Sequence, residues 1–257
     1  MQLTSKIASY ASILLVALTI ISTANRAEGS SVQASTLVTE KGAKYGFQAD
    51  LSTLRKQTIS VCNQFIAGKP SESKERLIAD IDAIIAHWNT IAETYRNNPP
   101  AEYSKDPAWT EYLETALDNF QIMRAKADAG NYDRAKEFCG ANCGLFVTMN
   151  HMNGIDKVSD RMFMLRKTMK DSVAMQLAGN SKGAVDAVKQ ADAILVKLAD
   201  AQPPTGVAAS KFDADVSKIR EAFGVLRVAI DGQDTEAALP ALMTFVKTFG
   251  EVYIQYV

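Results

Sequence analysis

The stretch IADIDAIIAHWNTI, residues 78–91, decides the fold class. Ile78, Ile81, Ile84, Ile85, Trp88 and Ile91 recur at 3.6-residue spacing and lay one apolar stripe along a helix. Leu113, Leu117, Phe120 and Met123 repeat the pattern, as do Val185, Val188, Ile194, Leu195 and Leu198 further on. No alternating strand pattern stands between turn signals. The expectation is an all-α protein.

The helical text is written twice. Leu54-Arg55-Lys56 recurs 111 residues later as Leu165-Arg166-Lys167, and Ala67-Gly68 recurs at the same offset as Ala178-Gly179. Asn98-Pro99-Pro100 matches Gln202-Pro203-Pro204 at an offset of 104, Phe120 with Arg124 matches Phe223 with Arg227 at 103, and Gly130 matches Gly232 at 102. The landmarks keep their order while the connections change length, as in diverged duplicates. Each copy predicts four helices: about 51–67, 71–96, 107–129 and 132–150, then 157–178, 181–201, 210–230 and 239–256. Gly68, Gly130, Gly179 and Gly232 fall where a helix C-terminus takes a left-handed residue. Ser181 suits a helix start and Pro240 a first helical turn. The Pro-Pro pairs cannot continue a helix and mark the longer connections. Two tandem antiparallel four-helix bundles follow, spanning 47–153 and 154–257, with Asn153-Gly154 at the boundary.

Residues 1–27 read as a secretory signal. Lys6 supplies the positive start, Ala11 to Ile21 the apolar run, and cleavage falls near Ala24 or Ala27. Residues 28–46 are small and polar, a flexible leader. With 28 basic against 29 acidic residues and no long single-sign run, the chain has no field suited to nucleic acid or an anionic membrane. The mature protein is expected to be periplasmic, without a membrane span. Export permits disulfides, although three cysteines are not a disulfide framework.

The chemistry-bearing residues concentrate in FCGANCGLFVTMNHMNG, 138–154, which holds Cys139, Cys143 and His151. Covalent haem attachment needs C-x-x-C-H, two thiols for the vinyl groups and an adjacent imidazole for iron. No register supplies all three. With Cys143 as first thiol, Phe146 replaces the second and Val147 the histidine. The stretch nevertheless resembles the last helix of cytochrome c′-type proteins, four-helix bundles that carry C-x-x-C-H there. Cys143-Gly144, Asn153-Gly154 and Leu165-Arg166-Lys167 are similar in order to a related exported group. The resemblance implies a cytochrome c′/b562-like fold, a haem-attachment remnant at Cys143 and Cys139, and a tendency to form homodimers. In the second copy the corresponding helix, LMTFVKTFGEVYIQYV, has neither cysteine nor histidine.

Other readings of the stretch stay open. Cys139 and Cys143 share a helix face one turn apart, and with His151, Met149 and Met152 they offer soft ligands for Cu(I), or a thiol-redox pair. Both cysteines equally suit a core as small apolar side chains. Noncovalent haem would draw on His87 or His151, or on Met162, Met164, Met169 and Met175 of the second copy. No nucleophile, zinc, P-loop or dinucleotide motif is present, nor a Glu-x-x-His pair for di-iron chemistry. Trp109 and Tyr112, near Pro107, could rim a small-ligand pocket or serve as packing at a helix start. The expectation is a non-enzymatic exported bundle that has lost covalent haem and binds a periplasmic protein or small ligand. The alternatives are one atypical haem in the first copy, for electron transfer or gas sensing, and Cu(I) or redox chemistry at Cys139/Cys143.

Overall fold

The computed structural model describes residues 46–66 and 73–257. The expected signal peptide, the leader up to residue 45, Ala67-Gly68 and the expected helix start at Ser71 lie outside the described residues. The described residues form eight α-helices and one short 3-10 turn, with no strand among them. None of these helices is long and apolar enough to cross a membrane.

Two compact units divide the chain between Ile155 and Asp156. The first contains α1 (Phe47–Ile66), α2 (Lys74–Tyr95), α3 (Trp109–Asp128) and α4 (Tyr132–Met152). There α1 packs on α2 and α4, and α3 packs on α2 and α4. The second contains α5 (Val158–Leu177), α6 (Ser181–Ala199), α7 (Ala209–Asp231) and α8 (Thr235–Tyr253), with α5 on α6 and α8, and α7 on α6 and α8.

The apolar stripe of residues 78–91 faces inward: Ile81, Ile84, Trp88 and Ile91 are buried, and Ile78 and Ile85 flank them. Each large apolar side chain so enclosed contributes roughly 1.5–3 kcal/mol. The Trp88 indole is accommodated because its Nε1 donates to the Leu113 carbonyl at 3.0 Å, joining α2 to α3.

Helix ends follow local chemistry more closely than apolar periodicity. Ser73 caps α2, accepting from the Arg76 amide at 3.3 Å. Asp234 caps α8 through the Glu236 and Ala237 amides, so that helix begins four residues before its expected start. Pro240 therefore lies in the second turn rather than the first, where it forgoes one backbone hydrogen bond.

The turns between α3 and α4 and between α7 and α8 correct one detail of the repeat. Gly130 takes the left-handed conformation at φ 72°, and the Asn131 amide reaches back to the Lys126 carbonyl at 2.8 Å. Gly232 does not: its φ is −77°, and Gln233 occupies the left-handed position at φ 54°, with Asp234 reaching back to Ala229 at 2.9 Å. Gly130 thus corresponds to Gln233, at the same offset of 103 as Phe120 and Phe223. The ion pairs recur too, with the arginines at that offset and their aspartates at 110. Arg124 binds Asp82 of α2 at 2.9 Å, and Arg227 binds Asp192 of α6 at 2.6 Å. Both pairs are half-exposed, where solvent screening leaves little net stabilisation.

Candidate functional site

The Phe138–Gly154 stretch runs through α4, which starts at an Asn131 cap and ends at Gly154, in left-handed conformation at φ 71°. Its inward residues are Ala135, Cys139, Asn142, Cys143, Phe146, Val147, Met149 and Asn150. A mixed apolar and polar face is thereby enclosed against α1 and α3.

Cys139 does not work with Cys143. It forms a disulfide with Cys62 of α1, across a Cα–Cα separation of 6.0 Å. The partner distant in sequence comes within bonding reach because α1 and α4 pack side by side, whereas two thiols one turn apart on one helix sit at the edge of bridging geometry. The bond spans 77 residues and constrains the unfolded chain by about 4 kcal/mol on loop-entropy grounds. The Cys139 sulfur also rests 3.4 Å from Met123 Sδ. Cys143 is a buried thiol, while His151 is exposed and Met152 is 68 % exposed at the end of the helix. Of the expected metal ligands, Cys139 is bonded to Cys62, Cys143 and Met149 are buried, and His151 and Met152 are exposed, so the set is not gathered. Among the described residues no group of three or more His, Cys, Asp or Glu side chains is arranged to hold a metal.

The residues do not complete a two-thiol haem attachment with its adjacent histidine. One sulfur of the stretch is already bonded to Cys62, and the second-thiol position is Phe146, almost fully buried with its ring 5.5 Å from that of Trp88. Val147, at the histidine position, is buried as well. The noncovalent donors fare no better. His87 Nδ1 lies 2.9 Å from Gln57 Oε1, and burial holds its imidazole below the usual range, against an opposing pull from Asp50. Met162 and Met169 fill core, and Met164 and Met175 lie exposed on α5.

What α4 does carry is a pair of buried amides that the sequence reading passed over. Asn142 Oδ1 accepts from Asn119 Nδ2 at 3.0 Å, and its Nδ2 donates to the Ala116 carbonyl at 3.3 Å, so it is tied to α3. Asn150 accepts from the Tyr103 hydroxyl, which itself accepts from Gln48 of α1. Buried amides persist where such partners exist. Their sequence signal was available: two asparagines in an otherwise apolar helical stripe.

Tyr103 is delivered to the interior by the 3-10 turn Ala101–Tyr103 that follows Pro99-Pro100. It stacks on Trp109 at 5.1 Å, and Phe47 meets Tyr95, Tyr103 and Trp109 edge-on at 5.2–5.3 Å. Trp109 Nε1 donates to the Tyr95 carbonyl at 3.0 Å. Trp109 is thus core rather than the rim of a pocket. Beside the cluster, Asn153 Nδ2 donates to Asp106 at 2.5 Å and fastens the end of α4 to the connection before α3.

The second unit has an open cleft of about 430 Å³, lined by Asp156, Val158, Arg161, Lys197, Asp200, Ala201 and Gln202. Arg161 crosses it, pairing with Asp156 at 2.5 Å and donating to the Lys197 carbonyl at 2.6 Å, which ties the start of α5 to the end of α6.

Comparisons with protein-family models, curated proteins and solved structures find no match to the chain.

Proposed function

We propose that this chain is an exported protein of two tandem antiparallel four-helix bundles, similar in architecture to cytochrome c′, whose first bundle has exchanged a haem site for packed core. It acts as a periplasmic binding or interaction module, with a protein or small ligand as partner, and not as an enzyme. The observation that carries the reading is the fate of the attachment positions: Cys139 is bonded to Cys62, and Phe146 is packed on Trp88. The helix contacts support the bundle reading, since in each unit every helix packs on two neighbours and first meets last. The disulfide supports export, because such bonds persist in oxidising compartments.

The absorption spectrum and metal content of protein purified from the periplasm test the proposal. The expected result is no Soret band, no stoichiometric iron or copper, and a Cys62–Cys139 cross-linked peptide in a non-reduced digest. A Soret band with stoichiometric iron would overturn it in favour of an atypical haem at Cys143. Stoichiometric copper lost on Cys143→Ser would overturn it in favour of a copper protein.

A further inference from the structure

On α5 of the second unit Arg166 and Lys170 stand one turn apart, with no carboxylate partner among the described residues. The Arg166 guanidinium lies 5.6 Å from the Phe163 ring centroid, 5.5 Å from that of Phe249 and 5.9 Å from that of Tyr253, the last two on α8. The three rings are themselves buried. Stacking engages the faces of a guanidinium and leaves its in-plane N–H edges for other partners. Among the described residues no carboxylate pairs with those edges, in contrast to Arg124, Arg161 and Arg227. Lys170, the next turn along, is half-buried and likewise has no ion-pair partner among the described residues. Burial, and then the nearby Arg166 charge, pull its ammonium below the usual lysine range. The closest acid in sequence, Asp171, is bonded to Lys167 at 2.6 Å.

Like charges at this spacing on a helix repel, and enclosing an ammonium without a counter-charge is unfavourable. A bound oxyanion would relieve both, accepting from the guanidinium fork and the ammonium together. We propose that Arg166 and Lys170 form a binding site for the carboxylate or phosphate group of a small ligand, set on the aromatic platform between α5 and α8. The site lies within the second unit and does not rest on the haem-free reading of the first.

The test is an NMR titration of the full chain with sodium phosphate and, separately, sodium acetate, at ionic strength held constant with chloride. Saturable shifts at the Arg166 side-chain N–H and at amides of 163–171 and 249–253 are expected with at least one anion. Saturation by phosphate alone assigns a phosphoryl ligand, and by acetate alone a carboxylate. Binding should weaken about tenfold or more in R166Q and in K170Q, the loss of one charge-assisted contact. R166K should also weaken it, because lysine keeps the charge and loses the fork. K170Q leaves the aromatic box intact and reads the site even where R166Q does not fold. Shifts that fail to saturate with both anions, or that persist undiminished in K170Q and R166K, would overturn the proposal.

Discussion

The two fourth helices show how differently one position in a helical unit can be filled. α4 packs on α1 and α3, and α8 packs on α5 and α7. At an offset of 103, Cys139, Asn142, Phe146 and Asn150 stand against Leu242, Phe245, Phe249 and Tyr253. Phenylalanine at Phe146 and Phe249 is the element kept. Around it α4 uses a disulfide and two amides, directional links with fixed partners, whereas α8 uses apolar and aromatic surface. Phe249 packs against Phe245 at 6.0 Å and Tyr253 at 5.2 Å. The second unit places its buried polar groups on other helices: Ser172 of α5 donates to the Ala184 carbonyl at 2.9 Å, and Asp215 of α7 accepts from Lys211 at 2.5 Å, Lys218 at 3.3 Å and the Tyr256 hydroxyl at 2.9 Å. Burial alone would raise the Asp215 carboxyl, but these donors outweigh it and hold it below the usual range. Burial, and then the same carboxylate, push the Tyr256 phenol well upward. The first unit should therefore fail when a particular bond is broken, and the second when packing volume is lost.

Removing the disulfide is the strongest way to break that contrast. Cys62→Ser with Cys139→Ser, or reduction of the wild type, should lower the stability of the first unit by about 4 kcal/mol and leave the second nearly unchanged. Both tryptophans, Trp88 and Trp109, belong to the first unit. Tryptophan fluorescence in a denaturant titration thus reports that unit alone, while far-UV circular dichroism reports both. The fluorescence midpoint should move to lower denaturant, and a helical signal should survive it. Coincident loss of both signals would show that the units do not unfold independently. Asn150→Ala comes next. It takes the acceptor from a buried tyrosine hydroxyl and should cost about 2 kcal/mol on the same fluorescence transition. Tyr103→Phe with Asn150→Leu, which removes both partners, should cost less than Asn150→Ala alone.

How far the sequence was legible follows the same division. Features governed by periodicity could be read: eight helices lie near their expected places, because an apolar stripe at 3.6 spacing has one good solution. Features governed by tertiary proximity could not. Cys62 and Cys139 are 77 residues apart, and nothing local marks them as partners. The sequence placed Cys139 with Cys143 because only neighbours along one helix are visible without the packing of α1 on α4. Tyr103 was missed for a related reason: a tyrosine after two prolines reads as surface loop until the 3-10 turn directs it inward. Asn142 and Asn150 were legible in principle, since an amide in an apolar stripe requires a buried partner. Arg166 is legible as part of a repeat, but the rings of α8 that enclose it lie far along the chain.

The matched turns offer a smaller test, with the opposite sign. Gly130 holds the left-handed position after α3 without strain, whereas Gln233 holds the equivalent position after α7 with a side chain. Gln233→Gly should stabilise the second unit by up to about 1 kcal/mol, and Gly130→Gln should destabilise the first by a similar amount. Thermal unfolding followed by circular dichroism reads both. No gain from Gln233→Gly would mean that the greater freedom of glycine in the unfolded chain offsets the relief.

The smallest expected effect concerns acid. Both histidines, His87 and His151, belong to the first unit, and burial lowers the His87 pKa from 6.5. A group whose folded pKa is depressed gives its full stability above the unfolded value and loses it as the pH falls toward the folded one. Between pH 7 and pH 5 the fluorescence midpoint should therefore drift downward, and His87→Gln should flatten the drift. The second unit has no histidine, and its depressed carboxyl, Asp215, has an ordinary pKa of 3.8, so its stability should begin to fall only nearer that pH. An equal loss in both units across pH 7 to 5 would trace acid sensitivity to a feature they share, and His87 would no longer account for it.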